Sequence, residues 1–208
     1  YAEEGRRVHG SLRPNTDPDT VSMVSYHPVG VVAGIVPWNY PVDLYAWKVA
    51  PALAAGCPVV VKPPEEAPLA IGMVSQLLTD AGLPPGTLFD LPGGAETGQR
   101  LVSRPEVAMV TATCSTATGK AIMRAAADNM TRVSLELGGQ CPLIVLPDAD
   151  IEVTATAAAR RAFSNMGQIC IAVNRIIVLD AIADAFVDAL MAEVDSYVLG
   201  DPLQPGVG

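Results

Sequence analysis

The run SNMGQICIAVNR, residues 164–175, sets a cysteine among small and apolar residues, behind Asn165, Gly167 and Gln168. A single cysteine is more often a small buried hydrophobe than a nucleophile. The approach to Cys170 is nevertheless polar and tight-turning, and glycine there lets a substrate come close to the backbone. A thiol of ordinary pKa, ~8.5, is only slightly ionised at neutral pH, so a nucleophile needs a base or a positive dipole nearby. Glu136, in VSLELGG, is the candidate base. Along a strand, Ser134 and Glu136 share one face, and Val133, Leu135 and Leu137 the other. We expect this strand to be a central parallel one, ending at Gly138 and Gly139. A partly desolvated carboxylate there can act as general base, although a solvated strand end is as ordinary a reading. Asn39, in IVPWNYP, lies between two aromatics. It reads either as a turn residue or as an amide donor held rigidly for an oxyanion.

Two further runs suit a nucleotide. Lys62 and Glu65, in VVVKPPEEAP, follow a strand. A carboxylate after the second strand of a nucleotide-binding sheet often holds ribose hydroxyls, but the same run also reads as an exposed loop. Ser115 opens STATG directly after a strand. It is first of all a helix N-cap, and the free N–H groups behind such a cap can receive a pyrophosphate. No G-x-G-x-x-G fingerprint accompanies it.

The elements that position these residues alternate between strand and helix. Val29 to Val36 reads as a buried strand. Asp43 to Ala55 reads as a helix, interrupted near Pro51 and stopped by Gly56. Pro58 to Lys62 is a second strand, and Pro68 to Ala81 a helix with proline at its start and Gly82 after its end. Strands at 88–91, 107–111 and 132–137 alternate with helices at 96–103 and 116–127. Strands nearly continuous in Val, Ile and Leu imply burial on both faces, and the alternation implies a parallel sheet with right-handed crossovers. After Gly138 the pattern begins again, with strands at 143–146 and 175–179 and helices at 151–165 and 182–198. The fold class is therefore α/β: a Rossmann-like parallel sheet with flanking helices, then the start of a second α/β unit. Residues 11–27 read as a projecting edge strand or hairpin.

Composition narrows the function. The chain has 208 residues, is 50% hydrophobic, and carries a formal net charge of −9. Its few Lys and Arg are scattered, which argues against a nucleic-acid surface. No apolar run reaches the length of a membrane span, and the N-terminus lacks the apolar stretch of a signal peptide. It also lacks an initiator Met, which fits a start inside a longer chain. Cys57, Cys114, Cys141 and Cys170 form no C-x-x-C pair, and there are only two histidines, so no metal site is expected. Free thiols suit a reducing, cytoplasmic setting.

Taken together and in order, PVGVVAGIVPWNYP, VVVKPPEEAP, LPGGAETG, TCSTATGK, LELGG and NMGQICIAVNR resemble the aldehyde dehydrogenase superfamily over nearly the whole chain. The resemblance implies that Cys170 attacks an aldehyde, with Asn39 and the Cys170 backbone N–H holding the oxyanion. Hydride then passes to a nicotinamide, and Glu136 activates the water that hydrolyses the thioester. It implies Pro37, Trp38, Lys62, Glu65, Ser115 and Gly138 as cofactor-binding residues, with NAD favoured over NADP because a carboxylate at Glu65 should repel a 2′-phosphate. It implies a subunit-bridging region at 1–28, an NAD-binding domain at 29–137, a partial catalytic domain at 138–208, and a homodimer or homotetramer at full length.

The chain departs from the family pattern at Cys114, where Gly is usual, and at Ala112, where a larger residue is. The Cys114 side chain is expected to impede a pyrophosphate, and Gln140 stands where Lys is commoner. The family's chain continues well beyond Gly208, so these residues alone are expected to show little or no turnover. Two alternatives are a non-catalytic relative with impaired cofactor binding, and esterase chemistry that uses Cys170 and Glu136 without a nucleotide. The visible pocket candidates are Trp47, Met166, Ile169 and Ile171, of which Trp47 and Met166 are expected to be core.

Overall fold

A computed structural model describes residues 3–207. Strands Ser11–Pro14 (β1) and Val21–Val24 (β2) pair antiparallel as a hairpin, with Leu12 opposite Met23. The fold divides into two compact units, one up to Leu137 and the other from Gly138.

The first unit is built on a five-stranded sheet: Val31–Ile35 (β3), Val59–Lys62 (β4), Leu88–Asp90 (β5), Val107–Thr113 (β6) and Arg132–Glu136 (β7). The order is β5-β4-β3-β6-β7 and every pair is parallel. Chain order reverses between β3 and β6, and such switch points open a crevice at the carboxyl ends of the strands. Helices Pro41–Ala54 (α1) and Pro68–Asp80 (α2) contribute to one core with Val32, Val59 and Val61. Helices Ala95–Val102 (α3) and Thr116–Ala127 (α4) contribute to a second core with Ala33, Val110 and Ala112. Adjacent residues of one strand serve opposite cores, as Val32 and Ala33 do, which is why β3 is an unbroken apolar run rather than an alternating one. Fully buried side chains such as Ile71, Val59 and Val61 each contribute about 1.5–3 kcal/mol. Gly119 allows α4 its close approach to β7, because a Cβ there would lie 2.7 Å from the Leu137 side chain.

The second unit pairs Pro142–Val145 (β8) with Arg175–Val178 (β9) in parallel and packs Ile151–Phe163 (α5) and Ala183–Asp195 (α6) together. Val145, Ala155, Ala158 and Phe186 form its core. Asp150 caps α5, its carboxylate accepting from the Val153 N–H at 3.1 Å.

Several expectations change. α1 runs through Pro51 to Ala54. The proline falls near its end, and the N–H it lacks would have met the carbonyl of Trp47, an exposed residue. The second unit's first helix ends at Phe163, and Ser164–Gly167 forms a separate 3-10 turn. β7 is an edge strand, not a central one, because no described strand pairs on its far side. Trp47 and Met166 are not core: they are 48% and 74% exposed. Trp47 falls outside the α1 stripe of Leu44, Tyr45, Lys48, Val49 and Ala52, and Met166 sits in the 3-10 turn.

Candidate active site

The carboxyl edge of the first unit's sheet gathers most of the candidates. β3 ends at Ile35, and Pro37, Trp38 and Asn39 form the link into α1. Pro37 and Asn39 are half-buried and Trp38 is exposed. Proline begins α1 at Pro41, where its missing N–H costs nothing. Glu136 closes β7 in register with Thr113 of β6, and its carbonyl accepts from the Cys114 N–H at 3.0 Å. Its side chain and that of Ser134 are on the exposed face, with Val133 and Leu135 turned inward, as the alternation predicts.

Beside this edge lies a residue that motif reading passed over. Lys48 is 3% exposed, and its ammonium donates to the Thr113 hydroxyl at 2.6 Å. Burial pushes its pKa below the ordinary lysine value, while the Glu136 charge pulls the other way. The signal was present in the sequence: Leu44, Tyr45, Lys48, Val49 and Ala52 fall on one helical stripe, so a lysine there sits where apolar residues belong.

Lys62 closes β4 and Glu65 follows it, Nζ to Oε1 3.9 Å, with the lysine mostly buried and the glutamate exposed. Both line a cleft of about 610 Å³ with Ala95, Gly98, Thr118 and Ala125. Its α3 and α4 walls present small side chains, and Gly98 has open space where a Cβ would be. Gly94 passes so near Glu65 that a Cβ would lie 3.0 Å from Oε1. Ser115 caps α4, its hydroxyl accepting from the Thr118 N–H at 3.2 Å. It does not line the cleft, and neither do Pro37, Trp38 and Asn39. The Cys114 side chain packs against the α3 and α4 core, and that burial pushes its thiol pKa up, against the opposing pull of Lys48.

In the second unit, Cys170 is exposed. It follows a turn in which Asn165, Met166 and Gly167 have φ of 52°, 58° and 72°. Two successive non-glycine residues in the left-handed region are costly, and such geometry clusters at functional sites. Gly138 opens this unit, with nothing within 4 Å of where its Cβ would stand. Among the described residues no group of His, Cys, Asp and Glu is placed to hold a metal ion, and no helix is long and apolar enough to cross a membrane.

Comparison with known proteins adds to this geometry. The model of the aldehyde dehydrogenase family matches residues 1–208. The mitochondrial succinate-semialdehyde dehydrogenase of Arabidopsis thaliana is 44% identical over 207 residues, which is 99% of this chain and 39% of that protein. The crystal structure of an NADP-dependent enzyme of E. coli superposes with a TM-score of 0.95 at 38% identity, covering 99% of this chain and 43% of that one. An NAD+ complex of an aldehyde dehydrogenase from Bacillus cereus gives 0.93 at 36%, covering 98% and 41%. The chain thus spans about two fifths of the length of these relatives.

Proposed function

The chain belongs to the aldehyde dehydrogenase family, and we propose from that premise that it supplies the cofactor cleft, the general base and the nucleophile of an enzyme oxidising an aldehyde to a carboxylic acid. The observation that carries this reading is the exposed Cys170 behind its left-handed turn. Free cysteine is among the most buried residue types, and a packing role gives no reason for this exposure.

Cys170 adds as thiolate to the carbonyl carbon. The Asn39 amide and the Cys170 backbone N–H take the developing oxyanion, the pair of donors such a charge requires. The nicotinamide cofactor, when bound, accepts the hydride. Glu136 takes the proton of the water that releases the acid from Cys170. Lys48, held by Thr113, gives that carboxylate a buried positive neighbour.

The cleft fits a nucleotide. Its small-residue walls leave room for a flat base, and Lys62 and Glu65, which line it, carry a donor and an acceptor suited to ribose hydroxyls. The capped N-terminus of α4 at Ser115 suits a pyrophosphate, and Pro37, Trp38 and Gly138 are assigned to the nicotinamide end. We favour NAD over NADP, because an exposed carboxylate at Glu65 opposes a 2′-phosphate. The four thiols are all free, which suits a reducing compartment such as the cytoplasm. The apolar hairpin, with Leu12, Val21 and Met23 each about seven-tenths exposed, suits the bridge of a homodimer or homotetramer.

The test is reduction of NAD and of NADP by a protein of the relatives' full length, offered succinic semialdehyde and a panel of simple aldehydes. We expect turnover with NAD, its loss in Cys170→Ser, and little or no turnover from the 208 residues alone. Full turnover by Cys170→Ser would overturn the assignment.

A further inference from the structure

The proposed chemistry leaves Cys141 without a role, yet the structure puts its thiol against the nucleophile's backbone. The Cys141 Sγ–H donates to the Cys170 carbonyl oxygen at 2.9 Å. Four covalent bonds separate that oxygen from the Cys170 Sγ. The topology explains the approach: β8 and β9 are parallel and their ladder starts with Pro142 opposite Arg175. The segments leading into the two strands, which carry Cys141 and Cys170, therefore enter at the same end of the pair. Both cysteines are free, Cys141 half-buried and Cys170 exposed. Neither lies within a helix or strand, so any movement that a disulfide between them requires falls in the two loops and not in the β8–β9 ladder.

We propose that Cys141 is a resolving thiol: when a peroxide oxidises Cys170, Cys141 closes a reversible disulfide with it. The inference rests on Cys170 being the reactive thiolate, since thiolates are the species peroxides oxidise. In the first step the Cys170 sulfur attacks one peroxide oxygen. An S–O bond forms, the O–O bond breaks, the sulfur loses two electrons, and the peroxide is reduced to water or an alcohol. In the second step the Cys141 sulfur attacks the Cys170 sulfenic sulfur. The S–S bond forms, the S–O bond breaks, and hydroxide leaves with the Cys141 proton as water. A dithiol returns both cysteines to the reduced state by exchange. The disulfide would spare Cys170 from the irreversible sulfinic acid.

The experiment uses the full-length protein, with wild type and Cys141→Ser compared. Each is treated with hydrogen peroxide at about one equivalent, remaining thiols are blocked, and unreduced peptides are weighed. We expect a linked peptide joining Cys141 and Cys170 in wild type, with full recovery of activity in dithiothreitol. In Cys141→Ser we expect normal activity before oxidation, sulfinic acid at Cys170 afterwards, and recovery at least about tenfold poorer. Sulfinic acid at Cys170 in an active wild type, or equal recovery by the two proteins, would overturn the proposal. The linked peptide is read without turnover, so its presence in a protein inactive on every aldehyde would count against the dehydrogenase reading and leave the thiol pair standing.

Discussion

Lys48→Met is the most informative single change in the first unit. Methionine keeps most of the stem volume at a position only 3% exposed, so the packing loss stays below about 1.5 kcal/mol. The variant also loses a charge-assisted hydrogen bond to Thr113, 2.6 Å in wild type, of a kind that contributes about 1.5–3 kcal/mol. Against both stands relief from desolvating an ammonium, a penalty of several kcal/mol. These terms nearly cancel, so near neutral pH the variant should lie within about 1–2 kcal/mol of wild type. The sharper expectation concerns pH. Burial holds the folded Lys48 pKa below 10.5, so between that lowered value and 10.5 the unfolded chain binds more protons. Wild type should therefore gain stability over the variant as pH rises through that window, by at most about 1.4 kcal/mol per pH unit. Cys114 acts in the opposite direction. Its raised pKa means that the unfolded thiol ionises first, and stability falls as pH rises above 9.0. Urea unfolding of the full-length protein at about pH 7.5 and about pH 10, in a Cys114→Ala background, isolates the lysine. A gap that stays fixed, or moves in favour of methionine, would refute the reasoning.

Three further outcomes follow from single contacts. Cys114→Gly should cost about 1–2 kcal/mol of stability by calorimetric unfolding, since the side chain packs on a core. By titration it should change NAD affinity less than about tenfold, because the thiol is partly buried against that core. Glu65→Gln should shift the ratio of NADP to NAD affinity toward NADP by about three- to tenfold, modest because Glu65 is exposed, as read by competitive binding. Asp150→Ala removes the α5 cap and should lower stability by about 1 kcal/mol in urea.

Much of this fold was legible because local chemistry and topology agree. The Val-rich runs at β3 and β4 lie between the two cores, and Pro68 and Ser115 mark helix starts that the structure keeps, whereas α1 begins at Pro41, two residues before the Asp43 expected. Strand order was harder to see. Nothing in VSLELGG distinguishes an edge strand from a central one, because pairing partners are long-range, and Glu136 was placed on the wrong kind of strand. Lys48 was hidden because no motif names it; only the apolar stripe around it marks it. Cys114 proves to be partly buried against the α3 and α4 core, a contact that depends on tertiary packing and that spacing does not carry. Cys141 lay in plain view two residues after Gly139, but its nearness to Cys170 depends on the β8–β9 pairing.

In the proposed reaction Cys170 forms a covalent acyl intermediate that Glu136 helps to hydrolyse. Glu136→Gln should slow release of the acid by about 10²–10⁴-fold and so let the intermediate accumulate. The most direct measurement is therefore the mass of full-length Glu136→Gln protein quenched in acid after mixing with NAD and an aldehyde it oxidises. An acyl adduct is expected on the peptide carrying Cys170, absent from the Cys170→Ser counterpart. An adduct on another residue, or undiminished steady turnover by Glu136→Gln with Cys170 unmodified, would contradict the proposed reaction.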